Sequence, residues 1–99
     1  MPGWVLQSNG ASPLTIRLTP GAVKTLGRAA RADFIVDAAL VSRVHCRLRV
    51  EASDQLIVED LGSTNGTEVN GKRVTRSVLK TGDRLRVGRM EFTVRESDD

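Results

Sequence analysis

The side chains in this chain that could do chemistry fall into three short stretches. His45 and Cys46, each the only residue of its type, stand side by side, with Ser42 three positions earlier. Arg28 directly follows Gly27, and Arg43 directly follows Ser42. Gly62, Ser63, Thr64, Asn65, Gly66 and Thr67 run consecutively, and Asn70-Gly71 comes three residues later. The first stretch invites a test for nucleophilic catalysis. On a strand, neighbouring side chains point to opposite faces, so a Cys46–His45 dyad fails on geometry. Ser42 and His45 can meet across a turn, but no third member or oxyanion hole accompanies them. One histidine and one cysteine fall short of a metal-ligand set, and the P-loop pattern is absent. The chain is therefore read as neither an enzyme nor a metal or cofactor protein.

The third stretch is built to turn while offering polar atoms. Asn65-Gly66 and Asn70-Gly71 are the strongest short-range signal for a tight turn, because both residues tolerate positive φ. Ser63, Thr64, Asn65 and Thr67 add hydroxyl and amide groups that donate or accept hydrogen bonds. Arginine supplies the charge. Fifteen Lys plus Arg stand against twelve Asp plus Glu, a formal +3, and only Lys24, Lys72 and Lys80 among the cations are not arginine. The guanidinium fork matches phosphate or carboxylate oxygens two at a time, so an anionic partner is expected. Arg47, Arg49, Arg84 and Arg86 lie in strand-like stretches and are read as solvated outer-face residues.

These groups must be positioned by strands. Leu14 to Leu18 alternates apolar and polar residues, as do Cys46, Leu48 and Val50 with Arg47, Arg49 and Glu51. Val23 to Leu26 and Leu56 to Asp60 are further strands. Glu68-Val69 and Lys72 to Val74 flank Asn70-Gly71 as hairpin arms. Residues 84–87 and 90–95 are the last two strands, with Leu85 and Val87 facing one way in the first and Phe92 and Val94 in the second. Trp4 to Leu6 reads as an edge strand or packed terminus, and Phe34 to Val36 as a short buried strand. Residues 9–13, 53–55 and 79–83 read as turns, and 29–33 and 37–43 as loops. Many short strands with Gly or Pro between them and no convincing helix predict an all-β sandwich or barrel.

Ninety-nine residues, 39% hydrophobic, suffice for one domain with its own core. A single domain over 1–99 is expected, its core at about residues 4–94 and residues 95–99 a tail or the start of a linker. One cysteine cannot form an internal disulfide, and no apolar leader follows a basic N-terminus, so a soluble intracellular protein is expected. No run approaches the roughly 18 apolar residues that cross a bilayer.

Gly27-Arg28, then Ser42-Arg43-Val44-His45, then residues 62–67, and finally Asn70-Gly71 occur in an order and spacing that resembles the forkhead-associated (FHA) domain, a phosphothreonine-binding module. The likeness covers nearly the whole chain, about residues 4–94. It implies a sandwich of two mainly antiparallel sheets with the peptide-binding loops gathered at one end. It also implies that Arg28, Ser42, Arg43 and Thr64 surround the phosphate and that Asn65 holds the peptide main chain. Gly27, His45, Ser63, Gly66 and Asn70 are then structural support, with His45 holding the binding loops together. The chemistry agrees: phosphothreonine carries about −1.5 to −2 charge and three strong acceptor oxygens, so its site needs donors and positive charge without nearby carboxylates. Two arginines and two hydroxyls supply them.

In the family, the loop before Ser42 helps to select the residue three positions after the phosphothreonine. Ala38, Ala39, Leu40 and Val41 predict an apolar preference there through Leu40, whereas Arg31 would favour an acidic residue. The expected partner is a phosphothreonine protein or peptide, met by a monomeric module with no cofactor and no membrane contact. Nuclear signalling and DNA-damage responses are common settings for the family. Two other classes compete. A nucleic-acid binder would need more stacking surface than Trp4, Phe34 and Phe92 provide, so no nucleic acid is expected. A phosphorylation-independent scaffold or dimerisation domain would use an outer sheet face and ignore Arg28.

Overall fold

Alternating apolar and polar residues write several of the strands, and the computed structural model of the chain, which describes residues 3–10 and 13–97, contains eleven strands. They are β1 (Gly3–Ser8), β2 (Thr15–Leu18), β3 (Val23–Gly27), β4 (Phe34–Ile35), β5 (Cys46–Val50), β6 (Leu56–Asp60), β7 (Thr67–Val69), β8 (Lys72–Val74), β9 (Arg76–Leu79), β10 (Arg84–Val87) and β11 (Met90–Ser97). Two sheets form, one in the order β2-β1-β11-β10-β7-β8 and the other β4-β3-β5-β6-β9. All pairs are antiparallel except β3 with β4, where Leu26 lies opposite Phe34 and Gly27 opposite Ile35. The all-β sandwich expected from the sequence is the fold observed. None of the described residues is helical, and no helix is long and apolar enough to cross a membrane.

The core is the sum of the inward half of each alternation. Leu6, Ile16, Leu85, Val87, Phe92 and Val94 from the six-stranded sheet meet Leu26, Cys46, Leu48, Leu56, Val58 and Leu79 from the five-stranded one, all fully buried or nearly so. Burying each large aliphatic side chain contributes about 1.5–3 kcal/mol, and this holds the two sheets face to face. Trp4 closes the end remote from the arginine-bearing loops, its indole N–H donating to the Asp54 carbonyl at 3.0 Å.

Several expectations need correction. The Trp4 run is no edge: β1 lies between β2 and β11 and pairs with both. Phe34 and Ile35 form the edge of their sheet, and Ile35 is 51% exposed; only Val36 beyond them is buried. The strand β9 was not foreseen, because Arg76, Ser77 and Val78 show no apolar periodicity, and Leu79, expected in a turn, ends it. The expected tail is ordered into Ser97, since β11 runs on opposite β1 as far as Gly3. Ala11 and Ser12 of the expected turn at 9–13, and Asp98 and Asp99, lie outside the described residues.

Connectivity gathers the chemistry at one end. The loops β3–β4, β4–β5 and β6–β7 carry Arg28, Ser42 and Thr64, and the β10–β11 turn meets them from the other sheet through Arg89 N–H to the Ala39 carbonyl, 3.1 Å. The Asn70-Gly71 hairpin lies further back along β7, away from that end, with φ of 53° and 83° at its two turn residues.

Candidate functional site

Each loop is held by bonds that the sequence encodes locally. Thr25 and Asp33 staple the ends of the Arg28 loop: the Thr25 N–H and hydroxyl donate to Asp33 Oδ2 at 2.8 and 3.1 Å, and the Asp33 N–H donates back to Thr25 Oγ1 at 3.1 Å. The amide bond from Thr25, then its hydroxyl bond, with help from Lys24, hold the Asp33 carboxyl below its ordinary pKa. Gly27 lets the next loop lie directly on β3, for a Cβ there would collide with the Arg43 carbonyl. Arg28 N–H donates to Ser42 O and Ala29 N–H to Arg43 O, both at 3.0 Å.

His45 joins the second loop to the third. Its Nδ1 accepts the Ser42 N–H at 3.0 Å and its Nε2 lies 2.8 Å from the Gly66 carbonyl, so the proton resides on Nε2. The ring is fully buried. Ser42 and His45 do meet, as their spacing permits, but through the serine's main chain: the hydroxyl instead accepts the Thr64 N–H at 3.1 Å. Cys46 points into the core, where burial and then the Asp60 charge push its thiol up to about 12. Among the described residues no cluster of three or more His, Cys, Asp or Glu side chains could hold a metal.

The third loop is wound around Asp60. Its Oδ2 accepts the Gly62 and Ser63 N–H groups at 3.0 and 3.1 Å, and its Oδ1 accepts the Ser63 hydroxyl and, at 2.8 Å, the Thr67 hydroxyl. Burial raises the carboxyl's pKa, but these four bonds together outweigh it and leave the group below its ordinary value. Ser63 Oγ also accepts the Gly66 N–H at 2.9 Å. The polar side chains of the stretch are thus divided. Ser63 and Thr67 turn inward to a carboxylate, and Thr64 and Asn65 are left facing out. Asp60 escaped the sequence reading, although an aspartate two and three residues before the amides of a Gly-Ser turn is a known side-chain cap.

What faces out forms one cleft of about 520 Å³, lined by Arg28, Asp37, Leu40, Ser42, Thr64, Asn65 and the small apolar residues Ala38, Ala39 and Val41. Arg28 Nε donates to the Val41 carbonyl at 3.1 Å, and its two terminal nitrogens have no partner among the described residues. Asn65 Nδ2 donates to the Leu40 carbonyl at 3.2 Å, which leaves Oδ1 and a second N–H open. Leu40 is held at φ 67°, rare for a branched residue, and is 49% exposed.

Among the predicted site residues, Arg28, Ser42, Thr64, Asn65 and Leu40 therefore come together. Arg43 and Arg31 do not line the cleft; both are exposed beside it. Gly27, His45, Ser63 and Gly66 sit beneath it as supports. Asn70 supports the β7–β8 hairpin instead: it donates to Asp83 Oδ1 at 3.0 Å and accepts the Arg84 N–H at 2.9 Å, clear of the cleft. Two features went unforeseen. Asp37 puts a carboxylate in the lining, against the expectation of a cleft free of them. Gly88 props the Leu40 loop, because its φ of 60° and missing Cβ let the β10–β11 turn approach the Leu40 carbonyl, which a Cβ would meet at 2.7 Å.

The FHA domain family model matches residues 24–88. The chain is 38% identical over 71 residues to the glycogen accumulation regulator GarA of Mycobacterium tuberculosis, covering 72% of this chain and 43% of GarA. It spans less than half the length of the curated relatives it matches. A solved structure described as a study of phosphothreonine-dependent FHA domain interactions superposes with a TM-score of 0.86 at 35% identity, covering 94% of this chain and 95% of the other. The FHA domain of FhaA, solved in complex with the intracellular domain of Rv3910, gives a TM-score of 0.85 at 36% identity over 93% and 99%.

Proposed function

The chain belongs to the FHA domain family, and from that premise we propose that it binds phosphothreonine in partner proteins and so makes a protein–protein interaction depend on phosphorylation. The observation that carries the reading is the convergence of Arg28, Ser42, Thr64 and Asn65, from three separate loops, on one cleft. Arg28 is the main phosphate ligand: Val41 fixes its Nε, so its open nitrogens are already aimed when the dianion arrives. Ser42 Oγ accepts the Thr64 amide and keeps its own proton free to donate to the phosphate. Thr64 adds a second hydroxyl. Asn65, anchored on the Leu40 carbonyl, offers Oδ1 and an N–H to the peptide main chain. Arg43, outside the lining, adds positive field and steers anionic ligands toward the cleft.

The module is a binder and not an enzyme, and its kinase-marked ligands put it to work inside the cell. Isothermal calorimetry with matched phosphothreonine, phosphoserine and unmodified peptides tests the reading, repeated on Arg28→Ala. The phosphothreonine peptide is expected to bind best, and the variant to lose at least about tenfold, since each hydrogen bond to a charged group contributes roughly 1.5–3 kcal/mol. Equal affinity for modified and unmodified peptides refutes the reading.

A further inference from the structure

Asp37 is the one cleft residue whose chemistry opposes a phosphate. Three aspartates at turns of this fold are engaged by the chain: Asp33 with Thr25, Asp60 with Gly62, Ser63 and Thr67, and Asp83 with the Lys80 N–H at 2.8 Å and with Asn70; Asp54, whose Oδ1 has no partner among the described residues, lies at the β5–β6 turn and does not line the cleft. Asp37 is exposed, lines the cleft and has no hydrogen-bond or ion-pair partner among the described residues. It does not neutralise Arg28 either, for the ion pairs of the described residues involve only Arg47, Arg49, Glu51 and Glu59. A free carboxylate in a cleft that takes a dianion weakens binding by like-charge repulsion unless the ligand brings a cation to it.

We propose that the cleft reads a second charge: the phosphothreonine segment it prefers carries a lysine or arginine whose head group lies at Asp37. The rest of that wall fits such a side chain. Ala38, Ala39 and the half-exposed Leu40 offer apolar surface to the methylene stem, and Asp37 receives the charged head. A leucine would gain the stem contact alone, and an acidic residue would meet a carboxylate. Arg31, the group that would favour an acidic residue, stands outside the lining. The cleft is then bipolar, with Arg28, Ser42 and Thr64 taking the phosphate and Asp37 the cation.

The proposal rests on the phosphothreonine reading, and its test separates the two. Fluorescence anisotropy is measured with a set of phosphothreonine peptides carrying arginine, leucine or aspartate at each flanking position in turn, and with their unphosphorylated counterparts, on the natural chain and on Asp37→Asn. At one position arginine is expected to bind roughly two- to fivefold tighter than leucine, the range of an exposed ion pair, with aspartate weakest. Asp37→Asn, which removes no bond the fold uses, should abolish that preference and leave the leucine peptide bound at least as well. Phosphate-dependent binding with no arginine preference, or a preference that survives Asp37→Asn, overturns this proposal alone. Binding indifferent to phosphorylation overturns the underlying reading and this proposal with it.

Discussion

Thr64 and Asn65 are neighbours in sequence with different surroundings in the fold, and the separate tasks proposed for them can be told apart. The Thr64 hydroxyl has no partner among the described residues and lines the cleft, whereas the Asn65 amide is tied to Leu40 O at 3.2 Å and shapes the same wall. With Thr64 on the phosphate as proposed, Thr64→Ala should cost about 1.5–3 kcal/mol for any ligand carrying that group. With Asn65 on the peptide main chain as proposed, Asn65→Ala should cost about 0.5–1.5 kcal/mol per contact, and only for a peptide. NMR titration with free phosphothreonine and with a phosphothreonine peptide distinguishes them. The threonine variant should weaken both ligands, and the asparagine variant the peptide alone; equal losses on both ligands for Asn65→Ala would end its assignment to the main chain. Such roles are legible in sequence only in part. In the sequence only the family likeness separates Thr64 from Ser63; in the fold Asp60 draws Ser63 and Thr67 inward and leaves Thr64 facing out.

Alternation marks β2, β5, β10 and β11, and short apolar runs bounded by turn residues mark β3 and β6; all six stand near their expected places, with only the C-terminal reach of β11 understated. The two edges of the five-stranded sheet are not legible in the same way: β9 has no alternation to read, and the edge character of β4 depends on which strands lie beside it, a long-range fact. The prop beneath the cleft is of the same kind, since nothing local says that the β10–β11 turn reaches the Leu40 loop. Gly88 tests it. Gly88→Ala adds a Cβ at 2.7 Å from the Leu40 carbonyl and 2.8 Å from Val41 Cγ2, on top of the left-handed strain of about 1–2 kcal/mol for an L-residue. Gly71→Ala is the control, for its φ of 83° carries similar strain while its Cβ meets open space on a hairpin clear of the cleft. Both variants should lower the urea midpoint, but only Gly88→Ala should also weaken phosphopeptide binding and shift the amide resonances of residues 38–41. Equal peptide affinity in the two variants would show that the turn does not position the wall.

On the scale of the whole molecule, the chain must cross from the five-stranded sheet to the six-stranded one between β6 and β7, and the crossing is the loop that presents Thr64 and Asn65. Asp60 ends β6 and Thr67 begins β7, and the 2.8 Å bond between their side chains ties the two sheets at the mouth of the core. The cleft and the sandwich are therefore stabilised by one carboxylate, and acid should act on both. Because the folded-state bonds hold Asp60 below its ordinary pKa of 3.8, the unfolded chain takes up its proton first as pH falls. Its contribution is fully present above that ordinary value and is lost as pH drops through the lower folded value. Asp33 and Glu59 are displaced in the same direction, Glu59 chiefly by its bond to Arg47, but solvent screens both, so the natural chain should lose stability below about pH 4 with Asp60 the main contributor of the three. Asp60→Asn isolates one share of that loss. The amide keeps a single carbonyl oxygen for four donors, so at neutral pH the variant should be destabilised by about 1–3 kcal/mol, the penalty for polar groups left unpaired. Below pH 4 the gap to the natural chain should narrow, because the natural carboxylate is then being protonated while the amide has no proton to gain. Urea midpoints measured from pH 7 to pH 3 on both chains give the comparison, and a gap that stays constant across that range would place the acid sensitivity elsewhere than at Asp60.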